Sequence, residues 1–178
     1  MNITVYCGST PGNREIYRQE AAALGRWIGE QGHTLVYGGS NTGMMGAVAD
    51  AVLAAGGQVI GVIPDVEMIR KRRHPGLTEV IFTDTVSERR SRMIELGDAF
   101  IALPGGIGTL DEMTEVISLS QLEIIRKPII FFNTEGYYEP MRQVLEHIVQ
   151  NEFGKESYFA QVIFSNDLKV IEGILKEK

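Results

Sequence analysis

Short apolar runs alternate with amphipathic segments along the whole of this 178-residue chain, and this alternation constrains its fold more than any other feature. The apolar runs are typical of strands buried in a parallel sheet. They cover residues 3–6, 34–37, 58–63, 79–82, 99–103, 128–132 and 162–164. The helical segments cover residues 14–31, 44–55, 86–96, 109–122, 137–150 and 168–176. This order predicts an α/β fold, a Rossmann-like, doubly wound, mainly parallel sheet of about seven strands with helices on both faces.

Composition indicates one globular domain, residues 1–178, because 44% of the residues are apolar and the chain is long enough to bury a core. The net charge of −6 argues against nucleic acid or an anionic membrane as a partner. The chain has no apolar stretch of transmembrane length, and the first strand leaves no room for a signal peptide. Cys7 is the single cysteine and is expected to be buried and unreactive, which favours a cytoplasmic location.

Glycine-rich turns follow the first, second and fifth predicted strands, at the edge where open parallel sheets bind ligands. The first turn contains Gly8 and Ser9, the second contains Gly39, and the third reads Pro-Gly-Gly-Ile-Gly over residues 104–108. Glycine lets bare backbone N–H groups approach a ligand closely. Three such turns at one edge therefore predict a cleft for a phosphorylated ligand.

The third turn leads into a predicted helix, whose N-terminus favours a phosphate group. Thr109 is predicted to cap this helix, and Asp111 and Glu112 are predicted to lie in its first turn. A phosphate cradle with an acid at its rim suggests chemistry on a nucleotide or a sugar phosphate.

The predicted helix over 86–96 places Arg89 on the same face as Met93 and Leu96. An arginine on an inward, apolar face needs an anion beside it. Near the third turn, Arg89 would bind a phosphate or a sugar hydroxyl. The irregular stretch 64–77 is predicted to be a mobile flap, and one or two of its basic residues at 70–73 can reach a ligand phosphate.

Two of these motifs resemble those of the LONELY GUY (LOG) family of cytokinin riboside 5′-monophosphate phosphoribohydrolases. Residues 104–112 match its P-G-G-x-G-T-x-x-E loop without exception. The run 86–90 is similar to its M-H-x-R-K helix, with Val86, Ser87 and Arg90 in place of methionine, histidine and lysine. The resemblance extends over nearly the whole chain.

The resemblance implies that Arg89 and Glu112 form the catalytic pair. It also implies that Arg90 and the loop over 106–111 contact the nucleotide, and that Ser118 replaces a threonine of the family. Together with the glycine turns, the residues expected to bind substrate are Gly8, Ser9, Gly39, Arg90, Gly105, Gly106, Ile107, Gly108, Thr109, Leu110, Asp111 and Ser118. A flap glutamate of the family has no counterpart, since Lys71 falls near its place, so the preferred base stays open.

The implied reaction is hydrolysis of the N-glycosidic bond of an adenosine 5′-monophosphate, with or without an N6 substituent, to free cytokinin or adenine and ribose 5-phosphate. Glu112 would stabilise a ribosyl cation through the ribose hydroxyls or activate the attacking water. Neither a metal nor an organic cofactor is expected. A non-catalytic carrier of a nucleotide-type cofactor is the alternative, because it would need the phosphate cradle without the acid.

Two other enzyme classes fit the sequence less well. A dinucleotide-dependent oxidoreductase would have G-x-G-x-x-G after its first strand, which is absent here. A pyridoxal phosphate-dependent lysine decarboxylase needs a lysine in the cleft, and Lys71 is the single candidate. A homodimer is predicted through the helices at 86–96 and 109–122, since the second is apolar over more of its circumference than one sheet face requires.

Overall fold

The protein, described here by a computed structural model over residues 1–176, contains one seven-stranded sheet in which every neighbouring pair is parallel. The strands are β1 (Asn2–Tyr6), β2 (Thr34–Tyr37), β3 (Gln58–Pro64), β4 (Glu79–Thr83), β5 (Ala99–Ala102), β6 (Ile129–Phe132) and β7 (Val162–Ser165). Their spatial order is β4-β3-β2-β1-β5-β6-β7. The last two residues of the predicted domain 1–178 lie outside the described residues.

Helices cover both faces of the sheet. They are α1 (Glu15–Glu30), α2 (Gly43–Ala54), α3 (Glu67–Arg70), α4 (Val86–Leu96), α5 (Ile107–Gln121), α6 (Glu139–Gln150) and α7 (Leu168–Lys176). Side chains of α1, α2 and α7 pack in one apolar core, and those of α4, α5 and α6 pack in the other. The predicted fold class is confirmed, and no predicted strand or helix end is displaced by more than two residues. Over the described residues, no helix combines the length and apolar character needed to cross a membrane.

The start of α5 differs from the prediction. Gly106 is the N-cap and Ile107 is the first helical residue, so Thr109 is not the cap. The glycines let the backbone enter the helix earlier than a side-chain cap would require. Asp111 and Glu112 consequently lie one turn into the helix rather than in its first turn, and they point in directions about 100° apart.

The predicted flap contains the short helix α3 and is hydrogen-bonded at both ends. At its start, the Asp65 amide donates to the Thr83 carbonyl at 2.8 Å. At its end, the Arg72 carbonyl accepts from the Asn41 amide at 2.8 Å, and the buried ring of His74 places Nε2 2.9 Å from Asp50 Oδ1. Both ends are therefore tied to the sheet edge, with α3 between them.

Candidate active site

A cavity of about 470 Å³ lies at the carboxyl edge of the sheet, where β1 and β5 lie side by side although the chain visits three other strands between them. The glycine turns after these strands, the turn after β2, the flap, α4 and the start of α5 all contribute to it. This is the switch point at which open α/β sheets bind ligands. Of the predicted site residues, those that line it are Gly8, Ser9, Arg89, Gly106, Ile107, Gly108, Thr109 and Glu112.

Arg89 and Glu112 form an ion pair in the cavity wall. Arg89 Nη1 lies 2.9 Å from Glu112 Oε1, and their side chains are only 15% and 10% exposed. Arg89 Nε also donates to the Val62 carbonyl at 3.3 Å, which ties the guanidinium to the end of β3. Gly38 packs against the same guanidinium, and a Cβ there would overlap Arg89 Nη2. The structure thus brings the two predicted catalytic residues together.

Burial dominates the electrostatics of Glu112. It raises the pKa of this carboxyl above the ordinary glutamate value, because the ionised form loses its solvation. The Arg89 guanidinium acts in the opposite direction, and the nearby Asp111 carboxylate adds to the increase. A carboxylate with a raised pKa accepts a proton more readily, which suits it to general acid–base chemistry.

The start of α5 offers backbone N–H groups to the cavity. The Thr109 and Leu110 amides already donate to the Gly106 carbonyl, at 3.1 and 3.2 Å. The amides of Ile107 and Gly108 precede them in the first turn, where an α-helix has no internal acceptor for its N–H groups. With the positive end of the helix dipole, this turn is suited to an anion such as a phosphate.

The three glycine turns are bonded to one another. The Gly8 amide donates to the Pro104 carbonyl at 3.1 Å, and the Gly8 carbonyl accepts from the amides of Met44 and Met45 at 3.1 and 3.3 Å. The expectation that Gly8 offers a spare N–H group is therefore wrong, because this amide joins the loop after β1 to the loop after the adjacent β5. Gly8 shapes the cavity instead.

Two tyrosines that the sequence analysis did not single out support the loop after β5. Tyr137 donates its hydroxyl to the Gly105 carbonyl at 2.6 Å, and Tyr138 donates to the Leu103 carbonyl at 2.7 Å. Both bonds satisfy backbone carbonyls at the point where the chain leaves β5. Gly105 itself lines a separate small recess with Tyr137, and a Cβ on it would overlap Thr109 Oγ1.

The structure does not bring Gly39, Leu110, Asp111 or Ser118 to the cavity. Gly39 follows the cavity-lining Gly38, and its carbonyl instead accepts from the His74 amide at 2.8 Å. Leu110 and Asp111 line a shallow outer recess next to the cavity mouth. Ser118 is exposed, two turns along α5 from the mouth.

Arg90 also lies outside the cavity lining. Its Nη1 is 2.8 Å from Asp111 Oδ2, and its Nε is 2.7 Å from Glu115 Oε2. The resemblance implies that Arg90 contacts the nucleotide, but within one chain its guanidinium forms ion pairs with these two carboxylates of α5.

Other cavity residues were not individually predicted to bind substrate, although three of them, Gly38, Ser40 and Met45, belong to the glycine-rich turn after β2. The full set is Val5, Tyr6, Gly38, Ser40, Met45, Met68 and Ile69. Met68 and Ile69 are adjacent apolar residues between the charged Glu67 and Arg70 of the flap, which is a signal that could have identified them. Arg72, one of the basic flap residues expected to reach a ligand, lines the cavity and has no carboxylate within ion-pair distance among residues 1–176.

Cys7 and Tyr6 lie at the end of β1 beside the charged pair. Burial raises the pKa of the Cys7 thiol, so its thiolate is disfavoured, in agreement with the expectation of an inert cysteine. Burial likewise raises the pKa of the Tyr6 hydroxyl, with the Glu112 charge adding to the effect. That hydroxyl is shielded from solvent and has no hydrogen-bond partner among the described residues.

A family profile and individual relatives of known name both match this chain. The profile of a family described as "Possible lysine decarboxylase" matches residues 45–172. The chain is 41% identical over 169 residues to a cytokinin riboside 5′-monophosphate phosphoribohydrolase of Rhodococcoides fascians, covering 94% of this chain and 85% of that protein. It is 43% identical over 151 residues to the LOG phosphoribohydrolase of rice, covering 85% of this chain and 62% of the rice protein.

Solved structures share the fold at lower identity. The molybdenum cofactor carrier protein of Chlamydomonas reinhardtii superposes with a TM-score of 0.75 at 21% identity, covering 99% of this chain and 96% of that one. The molybdenum cofactor binding protein of Rippkaea orientalis gives 0.72 at 22% identity, covering 98% and 96%. These neighbours establish the architecture, and the sequence relatives establish the lineage: the chain belongs to the LOG family of cytokinin riboside 5′-monophosphate phosphoribohydrolases.

Proposed function

We propose that this protein is an enzyme that hydrolyses the N-glycosidic bond of an adenosine 5′-monophosphate, releasing the free base and ribose 5-phosphate. Its relatives carry the name of this activity. The observation that carries the proposal is the Arg89–Glu112 pair, which is held at 2.9 Å in the wall of a cavity whose rim includes the first turn of α5. That arrangement combines a carboxylate with a phosphate site in one cleft.

The phosphate is assigned to the first turn of α5, where the Ile107 and Gly108 amides lie. Arg72 and Arg89 both line the cavity, but the charge of Arg89 is paired with Glu112. Arg72 is therefore the arginine whose positive charge is assigned to the phosphate. This distribution favours a ligand with a phosphate even though the whole chain carries a net charge of −6.

The sugar and the base are assigned to the rest of the cavity. With the phosphate on α5, the ribose reaches Glu112 and the base extends under the flap. Met45, Met68 and Ile69 give that part an apolar wall, and methionine side chains adapt to ligands of different shape. This wall is compatible with an apolar N6 substituent such as a prenyl group.

In the proposed reaction, the bond between the anomeric carbon and the base nitrogen breaks, and its electron pair leaves with the base. Positive charge develops on the ribosyl group, as in glycoside hydrolysis. Glu112 faces that charge and takes the proton of the water whose oxygen bonds to the anomeric carbon. The departing base gains a proton from solvent. Arg89 keeps the carboxylate in place throughout.

A carrier of a nucleotide-type cofactor is the second candidate, because the two structural neighbours described above are named as molybdenum cofactor proteins. The same cradle would serve either role, and Glu112 distinguishes them. Lysine decarboxylation is not supported, since no lysine lines the cavity among the described residues. Lys71, the single candidate, pairs instead with Glu67 at 2.7 Å on the exposed side of α3.

We also propose that the protein acts as a cytoplasmic homodimer joined through α4 and α5. Met113, Val116 and Ile117 of α5 are buried in the chain's own core, so they cannot form the interface. Apolar side chains remain exposed at the ends of both helices, with Val86 41% and Leu122 68% exposed. A two-fold pairing would cover these and let the partner complete the base site.

Chromatographic measurement of free base tests the proposed reaction. Adenosine 5′-monophosphate and its N6-isopentenyl derivative should both release base, and adenosine should not, because the α5 amides and Arg72 then have no anion to bind. Turnover of adenosine at a comparable rate would refute the assignment of the phosphate site. Absence of base release from every monophosphate in a purine panel would instead favour the carrier.

A further inference from the structure

Two adjacent arginines of α4 face three carboxylates of α5. Arg89 lies 2.9 Å from Glu112, and Arg90 lies 2.8 Å from Asp111 and 2.7 Å from Glu115. Asp111 and Glu115 are four residues apart, so they lie on one side of the helix, next to the side that carries Glu112. A single guanidinium therefore spans one full turn of α5 directly beside the proposed catalytic pair.

The contact with Glu115 is shielded from solvent. Arg90 Nε and Glu115 Oε2 are both buried atoms, and neither forms a well-aligned hydrogen bond, so their attraction is that of two charges in contact. The side chains are 25% and 32% exposed, far less than most ion pairs of this chain. Such a pair is screened less by water and salt than an exposed one.

Packing alone does not hold the part of α4 that carries Arg89. The buried residues of α4 are Met93 and Ile94, at least one turn further along the helix. Thr85 caps the N-terminal half locally by accepting from the Glu88 amide, and Arg89 joins this half to the end of β3. In addition to the Arg89–Glu112 pair itself, the contacts of Arg90 tie this half of α4 directly to α5.

We propose that Arg90, Asp111 and Glu115 form a clamp that holds α4 and α5 in the register at which Arg89 meets Glu112, and that Glu115 is a positioning residue for Glu112. The inference rests on the proposed hydrolase function. It gives Arg90 a role that differs from direct contact with the nucleotide. The two roles predict different kinetics for the same variants.

Kinetics of Glu115→Gln, Arg90→Gln and the double variant with adenosine 5′-monophosphate test the clamp. We expect kcat to fall about 10- to 100-fold in each single variant, because small displacements of reacting groups cost rates of this order. KM should change less than about threefold, and the double variant should resemble the single ones, since both break the same contact. Glu95→Gln, which removes the exposed partner of Arg92 on α4, is the matched control and should keep wild-type kinetics.

The pH profile separates positioning from simple charge removal. Loss of the negative charge of Glu115 by itself would stabilise the ionised form of nearby acids and move the acidic limb of kcat to lower pH. Loosening of the Arg89–Glu112 pair would weaken the contact that lowers the pKa of Glu112 and move the limb to higher pH. We expect the shift to higher pH.

Each outcome has a defined meaning. Wild-type protein without hydrolase activity refutes the proposed function. Active wild-type protein with an unchanged Glu115→Gln variant refutes the clamp alone. A rise in KM for Arg90→Gln without an effect of Glu115→Gln assigns Arg90 to the nucleotide and also refutes the clamp. If Glu115→Gln does not fold, Arg90→Lys is measured in its place, because lysine keeps the positive charge but lacks the guanidinium fork that spans both carboxylates. We expect kcat of Arg90→Lys to lie between those of wild type and Arg90→Gln. Wild-type kinetics for Arg90→Lys would overturn the proposal.

Discussion

Replacement of Glu112 by glutamine separates binding from chemistry at this site. The substitution keeps the shape of the side chain and an oxygen that accepts from Arg89, which lies 2.9 Å away, but it removes the charge and the basic carboxylate. Binding of the monophosphate should survive, because the phosphate is assigned to the start of α5. The dissociation constant is expected within about threefold of wild type, which corresponds to ~0.65 kcal/mol.

Turnover should not survive. A positioned acid or base contributes about 10²- to 10⁴-fold to a rate. We therefore expect kcat to fall by about 100-fold or more, equivalent to ~2.7 kcal/mol of transition-state free energy. The measurement is release of free base under saturating substrate, with the dissociation constant from calorimetry. Near-normal turnover would refute the catalytic role and favour the carrier, whereas Glu95→Gln should behave as wild type.

The same variant should not be destabilised at neutral pH. Burial raises the pKa of Glu112, so the folded state favours the protonated carboxyl more than the unfolded state does. The stability from this group is complete below the ordinary glutamate pKa and is lost as the pH rises through the raised folded value. Glutamine is neutral at every pH. Wild type should therefore lose stability relative to the variant as the pH rises from the ordinary glutamate pKa through the raised pKa of Glu112 in the folded protein. Thermal unfolding at several pH values measures it, and a constant difference between the proteins would contradict the argument.

Two further predictions concern the phosphate site and the assembly. Arg72→Gln should raise KM for adenosine 5′-monophosphate about tenfold, since charged hydrogen bonds contribute ~1.5–3 kcal/mol. Arg70→Gln is the control and should leave KM unchanged, because Arg70 pairs with Asp65 outside the cavity. Equal effects of the two variants would argue for a general charge effect. Light scattering at low micromolar concentration should give about twice the chain mass of 19.7 kDa, and a fully active species of 19.7 kDa would show that one chain suffices.

The fold could be predicted closely because it depends on local patterns. Buried parallel strands appear in the sequence as short apolar runs, and the helices between them carry apolar stripes. The ends of the predicted elements therefore lie within two residues of the observed ones. The helix α3 was not visible, since its four residues carry no periodic apolar pattern and lie in a charged stretch. The start of α5 was misplaced because the prediction relied on a threonine cap, while Gly106 provides the N-cap without one.

Site residues that belong to a sequence motif could be predicted, whereas those whose role depends on tertiary contacts could not. Arg89 and Glu112 were identified from a helix face and a loop motif, the resemblance paired them as catalytic residues, and the structure brings them together. The pairing of Arg90 with Glu115 depends on how α4 packs against α5, which no local pattern encodes. The engagement of the Gly8 amide likewise follows from the adjacency of β1 and β5, which are separated by three strands along the chain.

Glu112 also distinguishes an enzyme from a carrier on energetic grounds. A carboxylate that is 10% exposed and has a raised pKa gives a lower free energy of unfolding when it is ionised than when it is protonated, in spite of its arginine partner. A site that only holds a phosphorylated ligand gains nothing from this carboxylate, because it neutralises Arg89, a cation that would otherwise attract the ligand. The cost is explained if the reaction uses the carboxylate, since an acid beside the sugar is required for chemistry and not for storage. The buried pair therefore favours the hydrolase over a carrier with the same fold.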